Sequence, residues 1–125
     1  MPAPERLDAK RIVASEAALA GAGWDSETIV MRIAPDEALV LGPMPDSFLD
    51  PHAIVEDEEG FVGARLTRRE LESWMERESE WRLPPGTDSF TQGMVAGLPV
   101  KVWVAGEHGM VVTRVSLAAE LEARL

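Results

Sequence analysis

The side chains able to do chemistry are few: two histidines, four tryptophans, no tyrosine and no cysteine. His52 lies in a run with Asp46, Asp50 and Glu56, and hard cations do take carboxylate oxygens from loops. The spacing matches no recognised metal loop, so a solvated acidic loop without metal is the expectation. His108 stands between Glu107 and Gly109. Its ordinary pKa near neutrality suits a general base, but an exposed loop histidine needs no such role. No serine sits in a nucleophile-elbow context, and no Ser-His-Asp order can be assembled. The lack of cysteine removes disulfides, thiolate nucleophiles, zinc ribbons and iron–sulfur ligation. Gly21-Ala22-Gly23 lacks the third glycine of a dinucleotide fingerprint and reads as a helix stop. The residues therefore assign no catalytic group and no bound cofactor.

The tryptophans carry a different chemistry, that of flat amphipathic surfaces. Trp74 reads as core. Trp81, in a charged setting before Arg82-Leu83-Pro84-Pro85, reads equally as an interface residue or a local staple. Trp103 alternates with Val100, Val102 and Val104. Trp81, Trp103 and His108 are the candidate contacts for a partner or ligand.

Positioning these groups requires elements. Residues 1–7 read as a mobile arm and residues 8–125 as one α+β domain. Asp8 to Ala20 reads as a helix capped by Asp8 and rich in alanine, although Arg11-Ile12-Val13-Ala14 also fits a short strand. Glu27–Ile33 and Ala38–Leu41 form a hairpin across Ala34-Pro35-Asp36-Glu37, where proline presets φ for a tight turn. A loop over 42–52 leads to a short strand at 53–55. Glu56, Asp57, Glu58 and Glu59 repel one another and are expected in water as a loop. Phe61–Leu66 is a strand. Thr67 to Glu80 is a helix opened by the capping box Thr67-Arg68-Arg69-Glu70, with Leu71, Trp74 and Met75 on one side. Ser89–Val95 pairs with Leu98–Val104 across Ala96-Gly97. A loop over 105–109 precedes the strand Met110–Val115. Ser116 then caps a helix with Leu117, Leu121 and Leu125 on one stripe. Hairpin connections make the sheet largely antiparallel, with helices packed on one face.

The chain has 125 residues and a formal charge of −10. That charge argues against nucleic acid and anionic membrane, which need a basic face. A basic protein surface or a cationic substrate remains open, as does self-association. The start Met1-Pro2-Ala3-Pro4-Glu5-Arg6 lacks the apolar core of a signal peptide, and a cytoplasmic protein is the expectation.

Three segments resemble the gamma subunit of heterotetrameric sarcosine oxidase, a family related to the folate-dependent aminomethyltransferases. They are Arg32-Ile33-Ala34-Pro35-Asp36-Glu37-Ala38-Leu39-Val40-Leu41-Gly42; Gly60-Phe61-Val62-Gly63-Ala64-Arg65-Leu66; and the stretch from Pro85-Gly86 through Phe90-Thr91-Gln92 to Val95-Ala96-Gly97-Leu98-Pro99-Val100-Lys101-Val102-Trp103. The resemblance implies an aminomethyltransferase-like fold with ferredoxin-like halves. It also implies a non-catalytic accessory subunit that docks on a larger oxidoreductase or aminomethyltransferase subunit, where the flavin and folate chemistry resides. No segment matches the surroundings of the catalytic aspartate of the aminomethyltransferases. The alternative is a standalone domain that holds a folate-like ligand against Trp81 or Trp103.

Overall fold

The structure is a computed structural model and describes residues 3–125. The chain forms two compact units, one from residues 3–7 with Gly60–Leu125 and the other from Asp8–Glu59. Each contains one antiparallel sheet, with two helices alongside in the larger unit and one in the smaller, so the single sheet expected from the sequence is two. No helix among the described residues is long and apolar enough to cross a membrane.

The larger unit holds β1 (Glu5–Arg6), β6 (Phe61–Thr67), β7 (Ser89–Val95), β8 (Leu98–Ala105) and β9 (His108–Arg114), together with α2 (Arg68–Glu78) and α3 (Ala118–Arg124). Its strand order is β1-β6-β9-β8-β7. Where the sequence suggested an arm over 1–7, Glu5 and Arg6 pair with Gly63 and Val62, and Leu7 is buried. Met1 and Pro2 lie outside the described residues.

Local chemistry explains these elements. The Glu70 amide donates to Thr67 Oγ1 at 3.1 Å, and the Thr67 amide donates to Glu70 Oε1 at 3.0 Å. These reciprocal bonds close the first turn of α2. The helix stops at Glu78, two residues before the expected Glu80, because Ser79 is extended at φ −119° and ψ 147°. Between β7 and β8, Ala96 and Gly97 both take positive φ, 50° and 79°. A two-residue hairpin needs that pair of conformations to match strand twist. Between β8 and β9 the turn is only Gly106-Glu107, so His108 begins a strand instead of sitting in the expected loop. The Ser116 cap is also corrected. The Val115 amide donates to the Gly60 carbonyl at 2.9 Å, the chain leaves β9 through a 3-10 turn at Val115–Leu117, and α3 starts after it without a side-chain cap. Leu71, Trp74, Met75 and Leu121 from the helices pack against Val95, Val100, Val102, Val104 and Val111 of the sheet.

The smaller unit holds β2 (Ala9–Val13), α1 (Glu16–Ala20), β3 (Ile29–Ala34), β4 (Glu37–Leu41) and β5 (Ile54–Glu58), in the order β3-β4-β2-β5. The helix expected over Asp8–Ala20 is therefore a strand followed by a short helix. Ser15, not Asp8, is the cap, its Oγ accepting from the Ala18 amide at 3.1 Å. Pairing on both sides, with β4 and β5, overrides the helical preference of residues 9–13. The acidic run is corrected as well. Glu56, Asp57 and Glu58 belong to β5, in register with Arg11, Lys10 and Ala9. Two cations placed directly opposite relieve the repulsion that argued for a loop. Ile12, Ala14, Ala18, Leu19, Ala38 and Val40 form one core cluster of this unit, and Met31 and Leu39 are fully buried as well.

Candidate functional site

The site that the larger unit builds lies where α2 ends. The Ser79 amide donates to the Met75 carbonyl at 2.9 Å and the Ala96 amide to the Glu78 carbonyl at 3.1 Å. Arg124 Nε, from the end of α3, donates to the Ala96 carbonyl at 2.9 Å. Trp74 Nε1 in turn donates to the Arg124 carbonyl at 2.7 Å. The end of α2, the β7–β8 turn and the end of α3 are thus tied through backbone acceptors, which hold position better than long side chains do.

Onto this frame the chain lays Trp81. Its amide donates to Ser79 Oγ at 3.1 Å, and its indole Nε1 donates to the Met94 carbonyl at 2.8 Å. The indole lies flat over Gly93, where a Cβ would come within 3.1 Å of ring atoms Cε2 and Cζ2. Any larger residue at position 93 would lift the ring, so the glycine is what lets a strand carry an indole. Trp81 is half-buried, pinned at one edge and open along the other.

Two clefts flank it. One, of about 440 Å³, is lined by Trp81, Met75, Leu83 and Pro85, with Glu72, Glu76 and Arg82 as its charged groups. The other, of about 620 Å³, is lined by Trp81, Met94, Gly93, Thr91, Glu78 and Glu80. Met94 is 56% exposed, so a flexible thioether stands in water beside a rigid indole. Each cleft has an apolar wall and two carboxylates at its rim. Arg68 lies 3.9 Å from Glu72 and 3.5 Å from Asp88. It also donates to the carbonyls of Gly106 and Thr87, which makes it a tie between α2 and the neighbouring loops. Four glutamates face one arginine, Arg82, around an apolar floor, so the rim is acidic on balance. It suits a cation carried on an apolar stem, as in a basic side chain of another protein.

The structure does not bring the three sequence candidates together. On β8, Val100, Val102 and Val104 turn toward α2, while Lys101 and Trp103 turn away. Trp103 lies opposite Phe90 and Met110. His108 lies opposite Ala105 and Thr67 and is exposed. Trp81 covers Gly93, which pairs with Val100, so it belongs to the α2 face and the other two to the opposite face. The acidic loop residues are also placed. Asp50 accepts from the amides of His52 and Ser15 at 2.8 and 2.7 Å, and these bonds hold its carboxyl below the usual range, the His52 amide contributing most. Sequence reasoning missed Met94, Gly93 and the Glu72–Glu76 pair. The i, i+4 spacing of the two glutamates on α2 was visible, but their lining one cleft with Trp81 depends on the bend at Glu80 and Trp81.

No family model matches the chain, no curated protein matches it, and no solved structure matches it.

Proposed function

We propose that the chain is a non-catalytic accessory subunit resembling the gamma subunit of heterotetrameric sarcosine oxidase, with an aminomethyltransferase-like fold. It docks on a larger flavin- or folate-dependent partner, in the cytoplasm, where a chain without cysteine is at home. The observation that carries the reading is the Trp81 shelf: a half-buried indole fixed at Met94, beside an exposed methionine, between two clefts. Tryptophan and methionine are enriched at protein interfaces, and such anchors supply most of the binding energy. Charge decides the occupant. Glu72, Glu76, Glu78 and Glu80 outnumber Arg82 around the shelf, so the docking element is a basic segment of the partner, with an apolar stem against Trp81. The same carboxylates repel a ligand with an anionic tail, which weighs against a folate-like compound at this position.

Native co-purification from source cells at low salt, followed by mass spectrometry, tests this. The expected result is a stoichiometric flavin- or folate-dependent oxidoreductase or aminomethyltransferase that is released as salt rises. Recovery of the chain without such a partner under those conditions would overturn it.

A further inference from the structure

Strand β5 ends the smaller sheet, and the register of its neighbour β2 fixes which backbone groups it turns outward. The Ala14 amide donates to the Asp36 carbonyl at 3.0 Å, on the β4 side of β2. Backbone groups alternate sides along a strand. Lys10 and Ile12 therefore bond toward β4, and Ala9, Arg11 and Val13 toward β5. The β5 residues opposite those three are Glu58, Glu56 and Ile54. Val55 and Asp57 are left with their N–H and C=O groups directed away from β2. No further strand takes them, because β2 is the only neighbour of β5. Unpaired ladder groups of this kind are a template for an added strand.

The side chains along this edge are uncovered too. Ile54 is 54% and Val55 47% exposed, although both are aliphatic residues of a sheet. Beyond them the strand is acidic. Asp57 pairs with Lys10 and Glu56 with Arg11, while Glu58 and Glu59 have no ion pair among the described residues. Four carboxylates thus stand against two cations, and the balance is negative. That balance selects the occupant. A second copy of β5 laid antiparallel over the full strand would set Glu56 against Glu56, and Ile54 and Val55 against Glu58 and Asp57. Like charges directly opposite are destabilising. A strand with cations toward one end and aliphatic residues toward the other meets a complement at every position.

We propose that the β5 edge docks an extended, cationic segment of another protein by strand addition. The segment runs antiparallel to β5. Its backbone bonds to Val55 and Asp57, its cations lie opposite Glu56, Asp57 and Glu58, and its aliphatic residues lie opposite Ile54 and Val55. The carboxylates that keep other copies off the edge also choose its partner. The site belongs to the smaller unit and uses no residue of the Trp81 shelf, so either can fail without the other.

The probe is the end-capped peptide Thr-Lys-Lys-Lys-Val-Val-Thr, titrated into the full chain at low ionic strength and followed by NMR. It should half-saturate by about 1 mM, with shifts centred on Ile54–Glu58 and slower exchange of the Val55 and Asp57 amides. N-methylation of the middle lysine and the first valine keeps the charge but removes the two donors aimed at Asp57 and Val55. Glutamate in place of lysine keeps the donors but reverses the charge. Each change should weaken binding at least about tenfold. Val55→Pro deletes one outward amide and no bond to β2, and should weaken the parent peptide at least about tenfold while the spectrum stays dispersed. Failure to half-saturate by about 1 mM would overturn the proposal. N-methylated peptide binding as tightly as the parent would overturn it, since charge alone would then hold the peptide. Shifts centred on Trp81 and Met94 would overturn it by placing the peptide on the shelf. Protection of Val55 and Asp57 that grows with chain concentration, without peptide, would overturn it in favour of a second copy.

Discussion

The two units follow one antiparallel plan but are held by different means. In the larger unit the helices set large apolar side chains, Trp74 above all, against Leu98, Val100, Val102 and Val104 of β8. In the smaller unit one cluster sets Ile12, Leu19 and Val40 among three alanines, and Met31 and Leu39 are the other fully buried large side chains. Its outer strand β5 is half-exposed or exposed throughout. Ion pairs tie that strand to β2: Arg11 reaches Glu56 at 2.8 Å and Lys10 reaches Asp57, while Arg11 also reaches Glu37 of β4 at 2.9 Å. Burial scales with area and gives stability. Exposed ion pairs give register and little stability. The smaller unit should therefore be the looser one, and β5 its first element to open.

Truncation separates the two most sharply. Trp74→Ala removes the largest fully buried side chain and the bond to Arg124, and should lower unfolding free energy by about 3–5 kcal/mol. Ile12→Val in the smaller core should cost only about 0.5–1.5 kcal/mol. Denaturant titration with near-ultraviolet dichroism measures both, and equal losses would erase the contrast. Next in size is the cap of α2: Thr67→Ala should cost about 1 kcal/mol, read from the same titration.

Smaller effects sharpen the comparison. Arg11→Gln should barely move the unfolding midpoint yet speed amide exchange in Ile54–Glu58, and high salt should mimic it in the parent. Unchanged exchange would show that β5 is held by something other than charge. Each unit also carries one depressed carboxyl: Glu70, held down first by the Thr67 amide, and Asp50, held down first by the His52 amide. A folded value below the unfolded one stabilises above the unfolded pKa, and that gain is lost as pH falls through the folded pKa. Asp50→Asn should therefore flatten the acid-side loss for amides of the smaller unit alone, and Glu70→Gln for the larger. Arg11 is raised by Glu37 and then Glu56; it stays charged throughout and adds no slope.

What the sequence made legible was local. Pro35-Asp36 and Ala96-Gly97 named their hairpins because turn chemistry is confined to two or three residues. Thr67 and Glu70 named α2 for the same reason. What stayed hidden was non-local. Ala9–Val13 carries no strand signal strong enough to outvote the alanines after it; its strand exists because β4 and β5 flank it. Glu5–Arg6 becomes a strand only through Val62 and Gly63. The candidate site divides likewise. Trp81 stood out by residue type, but Gly93 beneath it and Met94 beside it depend on a bend at Glu80 and Trp81 that spacing does not encode.

The central claim is that Trp81, rather than Trp103, is the docking anchor. The direct measurement is retention of the proposed flavin- or folate-dependent partner by immobilised chain, compared among the parent, Trp81→Ala and Trp103→Ala. The account predicts at least about thirtyfold weaker binding for Trp81→Ala and unchanged binding for Trp103→Ala. Equal retention by all three would contradict it.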